Sequence, residues 1–309
     1  MTRAAIPLTV IGGFLGAGKT TLLNRLLTET SGRRFAVLVN DFGDIAIDGA
    51  LVAEHGGDTI TFANGCLCCT IGDSLLQTLN QLLARPMPPE HIVVEASGVA
   101  DPRQIADVGT LHPALQRDLT IVLVDGETIR ERAKDARLQE TVGSQLDSAE
   151  VLVLNKIDLI GEAQCSALRA WLAQRAPAAA IMESVQARLP LGLLFGAASD
   201  RAASAQIGHG AGHDHGAQFR SLTLRLERPV HLDRLRDALA ALPRPVLRVK
   251  GFVRTGDETF LVQRAGRRLQ IEKWRRAETP PPACLVFIGL PEMPDEAWFE
   301  ETFQSSLTN

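Results

Sequence analysis

The run Gly13-Phe14-Leu15-Gly16-Ala17-Gly18-Lys19-Thr20 fits the pattern G-x-x-x-x-G-K-[ST]. Its glycines let the backbone curl so that successive N–H groups face phosphate oxygens, helped by the positive end of the helix that follows. The pattern assigns Gly13, Gly16, Ala17 and Gly18 to the cradle. Lys19 reaches the β- and γ-phosphates, and the Thr20 hydroxyl ligates Mg²⁺. A second run, Asn155-Lys156-Ile157-Asp158, closes an apolar stretch, Val151-Leu152-Val153-Leu154. A carboxylate at Asp158 accepts two hydrogen bonds from guanine groups that adenine does not present, and a site built on such bonds discriminates strongly. Asn155 is expected to brace the loop and the Lys156 stem to lie over the base, which selects GTP over ATP. A third run, Asn64-Gly65-Cys66-Leu67-Cys68-Cys69, gathers three of the five cysteines. In an extended segment Cys66 and Cys68 project to one side, and Cys69 joins them if the chain turns back before Gly72. Three thiolates plus one outside ligand suit a tetrahedral Zn²⁺ or another soft or borderline ion. Buried apolar packing and a disulfide are the competing readings, and three cysteines beside Gly and Asn favour a metal over both.

Each of these runs needs a strand tip to hold it. Leu8–Ile11, Phe35–Val39, Ile92–Glu95, Leu119–Val124, Val151–Leu154 and Ala179–Met182 read as strands. Thr20–Thr28, Ser74–Leu83 and Cys165–Arg175 read as helices. Their alternation predicts an α/β fold, a mainly parallel sheet with helices on both faces. Ligands then gather at the carboxyl ends of the strands, where Lys19, Asn40, Glu95, Asp125 and Asp158 fall.

At 309 residues the chain is long enough for about two domains, each with its own core. Residues 218–309 carry 15 Lys+Arg against 12 Asp+Glu, a net of +3, while the rest of the chain stands at −7. That balance gives no case for nucleic-acid binding. No apolar run approaches the roughly 18 residues of a membrane span, and the apolar stretch near the start runs straight into the phosphate loop. A cytoplasmic protein without nucleic-acid or membrane partners is expected.

The expected division is a nucleotide domain over 1–200, a flexible small-residue linker over 201–217 and a smaller α+β domain over 218–309. The linker holds His209, His213 and His215, of which His213 and His215 are candidates for weak metal capture; a merely solvated loop is the competing reading. In the last domain Phe219–Leu226, Val246–Phe252, Phe260–Gln263, Leu269–Trp274 and Leu285–Ile288 read as strands, Leu232–Leu242 as a helix, and Asp295 as the start of a closing helix. Cys165 and Cys284 read as core.

Taken in order, Gly-Gly-Phe-Leu-Gly-Ala-Gly-Lys-Thr-Thr-Leu-Leu-Asn, Gly-Cys-Leu-Cys-Cys, Glu-Ala-Ser-Gly-Val-Ala-Asp-Pro, Leu-Asn-Lys-Ile-Asp-Leu, a His-containing linker and Leu-Arg-Val-Lys-Gly-Phe resemble the CobW family of metal-handling GTPases over nearly the whole chain. The resemblance implies a P-loop GTPase domain, a CobW-type carboxyl-terminal domain, slow hydrolysis of GTP to GDP, and delivery of a divalent metal, Zn²⁺ or Co²⁺, to a client metalloprotein. It implies that Gly16, Gly18, Lys19, Thr20 and Thr21 hold phosphates and Mg²⁺, and that Asn155, Lys156 and Asp158 hold guanine. Glu95 and Gly98 take the D-x-x-G switch position, with Glu95 turned to Mg²⁺ or the attacking water, so Lys19 and Glu95 carry the chemistry. Cys66, Cys68 and Cys69 then hold the transported metal. The first switch departs from the family's Asn-Glu-Phe-Gly-Glu: this chain has Asn40-Asp41-Phe42-Gly43-Asp44, each acid one methylene shorter. Two other readings compete: a P-loop phosphotransferase, which the guanine motif opposes, and a GTP-gated metal sensor that regulates a partner by binding alone. Self-association is left open.

Overall fold

A computed structural model describes residues 5–29, 34–42, 58–64, 71–195, 219–274 and 282–308. The chain divides into two compact units, one essentially Arg3–Leu189 and the other essentially Pro190–Asn309.

The first unit is built on β1 (Ile6–Gly13), whose near-continuous apolar sequence is buried on both faces. Such a strand fits only the middle of a parallel sheet with both sides covered. The sheet has seven strands in the order β3-β2-β4-β1-β5-β6-β7: β2 is Phe35–Phe42, β3 Asp58–Asn64, β4 His91–Glu95, β5 Leu115–Asp125, β6 Val151–Asn155 and β7 Ala180–Ser184. β1 pairs in parallel with β4 and β5, β2 with β3 and β4, and β5 with β6. The chain visits one side of β1 through β2, β3 and β4 and then crosses to the other. The carboxyl ends of β4, β1 and β5 therefore frame the crevice where such sheets bind ligands. Register aligns them: Thr61, Val39, Glu95 and Ile11 form one row across four strands, and Asp125 sits beside Asn155.

The helices cover this sheet with the stripes their sequences carry. α1 (Lys19–Glu29) buries Leu22, Leu23, Leu26 and Leu27. α2 (Ile71–Leu83) brings Leu75, Leu79 and Leu82 onto Leu8, Val10, Leu38, Ile92 and Val94. α3 (Pro102–Leu111) starts on Asp101, whose side chain accepts from Arg103 N–H, with Pro102 in the first turn where its missing N–H costs nothing. α4 (Ile129–Arg132) is one turn, α5 (Gln139–Ser148) and α6 (Glu162–Arg175) complete the layer, and a short 3₁₀ turn spans Ile157–Leu159.

The second unit contains α7 (Leu191–Phe195) and a five-stranded sheet in the order β11-β10-β9-β12-β8. Here β8 is Arg220–Arg225, β9 Val246–Thr255, β10 Glu258–Ala265, β11 Arg268–Lys273 and β12 Cys284–Gly289, all paired antiparallel. α8 (Leu232–Ala240) and α9 (Glu296–Gln304) pack on one face, where Phe287 lies 4.2 Å from Phe299 and 5.5 Å from Phe303 between ring centroids. Asp295 caps α9 by accepting from Trp298 N–H at 3.0 Å. Arg264 is buried on this side and donates to the Val246 carbonyl at 3.0 Å; burial pushes its pKa down to about 10. No helix among the described residues is long and apolar enough to cross a membrane.

β3, α3, α4, α5 and α7 have no counterpart among the expected elements. The linker 201–217, with His213 and His215, lies outside the described residues, as do Cys66, Cys68, Cys69 and Asp44.

Candidate functional site

The loop between β1 and α1 has the backbone that its glycines allow. Gly13, Gly16 and Gly18 take φ of +134°, +80° and +109°, a region costly to any side chain. Two of them are also sterically required. A Cβ on Gly13 would lie 2.5 Å from the Leu123 carbonyl oxygen, and one on Gly18 would lie 2.5 Å from the Asn155 amide nitrogen. At Gly16 the surroundings are open and only the dihedral demands glycine. Ala17 is buried and donates its N–H to the Phe14 carbonyl at 3.1 Å, which closes the turn. The loop curls tightly at a helix N-terminus, the arrangement that suits a chain of phosphates.

Lys19 and Glu95 meet at the mouth of this loop. Lys19 Nζ lies 4.0 Å from Glu95 Oε1, and both side chains are buried. The register Ile11–Glu95 places the carboxylate one strand away from the loop's origin. Thr20 is half-buried one residue further into α1, and Thr21 points to solvent. Oxygen donors from a hydroxyl and a carboxylate are the type a hard divalent cation takes, so Thr20 and Glu95 fit Mg²⁺ by chemistry.

After β4 the chain passes Ser97 and Gly98 before entering α3. A Cβ on Gly98 would lie 2.6 Å from Leu15 Cδ2, so the missing side chain lets two loops touch. Gln145 on α5 donates its amide to the Gly98 carbonyl at 3.1 Å and the Ala100 carbonyl at 3.2 Å. Arg132 on α4 reaches the other loop, donating to the Leu15 carbonyl at 3.0 Å while lying 4.6 Å over the Phe14 ring.

The third part of the site begins at Asn155, buried at the tip of β6. Its amide donates to the Ala17 carbonyl at 2.9 Å, and its side-chain oxygen accepts from Ala187 N–H at 2.9 Å. Lys156 follows in the left-handed conformation, φ +63°, and its Nζ pairs with Asp125 Oδ2 at 2.8 Å. The other oxygen of Asp125 accepts from Glu127 N–H at 2.9 Å. Asp158 sits on the 3₁₀ turn with its side chain exposed.

The structure thus gathers Gly13, Gly16, Ala17, Gly18, Lys19, Thr20, Glu95, Gly98 and Asn155 around one loop, with Lys156 and Asp158 following directly on Asn155. It adds Ala187, Asp125, Gln145 and Arg132, to which the motifs gave no role. Ala187 and its neighbour Gln186 both have φ of +52°, with no glycine or asparagine to announce it. The cysteine run follows β3, whose final Asn64 is in register with Phe42 at the same end of the sheet. Among the described residues, no group of three or more His, Cys, Asp and Glu side chains is placed to hold a metal.

Residues 7–183 match the CobW/HypB/UreG nucleotide-binding domain, and residues 219–307 match the cobalamin synthesis protein cobW C-terminal domain. The chain is similar to the zinc chaperone CobW of a Sinorhizobium species, 32% identical over 343 aligned residues that span 96% of this chain and 95% of that one. It is 30% identical to the zinc chaperone YjiA of Escherichia coli K12, over 94% of this chain and 96% of that. The crystal structure of Zn(II)-bound YjiA GTPase from E. coli is 24% identical and covers 99% of this chain and 100% of that, with a TM-score of 0.46.

Proposed function

This chain belongs to the CobW/HypB/UreG family, and from that premise we propose that it is a GTP-hydrolysing metallochaperone that carries Zn²⁺, or alternatively Co²⁺, to a client metalloprotein in the cytoplasm. The register row Thr61–Val39–Glu95–Ile11 carries the reading. It puts the strand that leads into Cys66 at the same sheet end, and in the same alignment, as the loop and carboxylate that would meet a nucleotide. Two zinc chaperones similar along nearly the whole chain support the choice of metal.

In this reading Gly13, Gly16, Ala17 and Gly18 hold the phosphates, with Lys19, Thr20 and Thr21 completing the contacts at the start of α1. Thr20 and Glu95 would hold Mg²⁺, whose charge offsets that of the β- and γ-phosphates. Lys19 would leave Glu95 for the phosphates when nucleotide enters, freeing that carboxylate for Mg²⁺ or for the attacking water. Asn155 keeps the guanine loop and the phosphate loop in one piece, and Asp158 accepts from the base. Gly98 reports the γ-phosphate; residues 201–217 form the linker and 218–309 the carboxyl-terminal domain, while Leu191–Phe195, expected in the nucleotide domain, groups with the second unit.

The cargo site is Cys66, Cys68 and Cys69, with His213 and His215 as weak capture ligands. A thiolate site binds zinc by as much as roughly 10–16 kcal/mol, so unaided release is slow. Coupling to the γ-phosphate sensor supplies a means of release: if GTP tightens the site, its hydrolysis relaxes it, and by linkage zinc tightens GTP by the same factor. Slow intrinsic turnover keeps the loaded state alive until a client docks.

The test is GTP turnover, read as phosphate release, together with zinc stoichiometry in the purified reduced protein and in Cys66→Ser. Turnover with one tight zinc in the parent and none in Cys66→Ser supports the reading. Equal zinc binding in both removes the cysteine run from it.

A further inference from the structure

Arg132, the last residue of α4, takes no part in the chemistry described so far. Its place is nevertheless fixed from three sides. Its own N–H donates to the Thr128 carbonyl at 3.1 Å, and its neighbour Ile129 is buried. Its guanidinium lies 4.6 Å over the Phe14 ring, and Nη1 donates to the Leu15 carbonyl at 3.0 Å. Arginine suits this double duty because its planar head stacks on a ring while presenting fixed donors at its edge.

The carbonyl it holds belongs to the peptide at the apex of the phosphate loop. Leu15 is 54% exposed, and Gly16 at φ +80° has open space where a side chain would be. A glycine-flanked peptide at an open apex turns over easily. In a trans peptide the C=O and the following N–H point in opposite directions, so whatever fixes the Leu15 oxygen also fixes the Gly16 N–H.

We propose that Arg132 is a positioning residue for GTP hydrolysis: by holding the Leu15 carbonyl outward it presents the Gly16 N–H to the nucleotide's phosphates. The inference rests on the GTPase reading above. Phosphoryl transfer moves negative charge onto the leaving oxygens, and a preoriented donor there is worth more in the transition state than in the bound ground state. Arg132 therefore acts on the rate more than on affinity.

The test compares the full-length protein with Arg132→Ala and Arg132→Lys, measuring single-turnover GTP hydrolysis and the affinity of a fluorescent GDP. Arg132→Ala is expected to slow hydrolysis by about tenfold to a hundredfold while GDP affinity changes by less than about threefold. Arg132→Lys is expected to fall between, since it keeps a donor and loses the stacked plane. Free guanidinium ion should restore part of the rate to Arg132→Ala and none to Arg132→Lys. Wild-type rates in both variants overturn the inference and leave the nucleotide reading standing. Absence of GTP binding by the parent protein removes the nucleotide reading itself. If Arg132→Ala unfolds, Arg132→Gln, a neutral donor of similar reach, decides by the same rate-against-affinity criterion.

Discussion

Asn155 and Ala17 are 138 residues apart in sequence, yet the Asn155 side-chain amide donates to the Ala17 carbonyl at 2.9 Å. The same side chain accepts from Ala187 N–H, so one buried amide ties the phosphate loop to β6 and to the loop after β7. The loops proposed to hold phosphate and base are therefore tied together through a single side chain.

Replacing this amide separates the two. Asn155→Ala leaves a buried carbonyl and a buried N–H without their partner, each worth about 1–3 kcal/mol. GDP and GTP affinity should fall together, by roughly tenfold to a hundredfold for about 1.4–2.8 kcal/mol. Isothermal titration with both nucleotides checks it; a loss confined to GTP would contradict it.

Base choice is assigned to Asp158. Guanine offers two donors to its carboxylate, whereas xanthine offers a donor and an acceptor, which an amide matches. Asp158→Asn should weaken GTP by about a hundredfold or more and raise affinity for xanthosine triphosphate. Competition against labelled GDP reads both, and unchanged preference would move guanine recognition elsewhere.

Glu95 is buried 4.0 Å from Lys19, at the tip of β4. Glu95→Gln keeps its shape and removes its charge. Turnover should drop by about tenfold to a hundredfold. Phosphate-release kinetics at saturating GTP test this, and an unaltered rate would deny Glu95 its role.

How much of this was written in the sequence depends on the kind of signal. The central strands carry continuous apolar runs, and all six expected strands of the first unit are found within a few residues of their expected ends. β3 escaped because Asp58–Asn64 is an edge strand with threonines in alternation and glycines just before it, which reads as loop. α3 escaped although Asp101 and Pro102 are an ordinary start signal, and α4 and α5 carry no sustained apolar stripe. The phosphate and guanine motifs were legible because they are local. Ala187, Gln145 and Arg132 were not, and Asp125 was placed at its strand tip without its Lys156 partner, because these contacts depend on which strand tips lie side by side.

Cys165 lies outside the Cys66–Cys69 run. Burial pushes its thiol pKa up, and nearby Glu183 adds to the rise. Less thiolate at pH 8 means slower alkylation than an ordinary cysteine. In a protein carrying Cys66→Ser, Cys68→Ser and Cys69→Ser, iodoacetamide at pH 8 should label half-buried Cys284 before Cys165. Mass spectrometry gives the order, and equal rates would contradict it.

The most direct measurement is a Co²⁺ and Zn²⁺ titration of the reduced protein without nucleotide, with GDP–Mg²⁺ and with a non-hydrolysable GTP analogue. A thiolate-to-cobalt absorption band that appears or sharpens with the GTP analogue, and is lost in Cys66→Ser, is the predicted result. The same metal affinity in all three states would contradict nucleotide-controlled metal delivery and leave a GTPase that merely carries a metal.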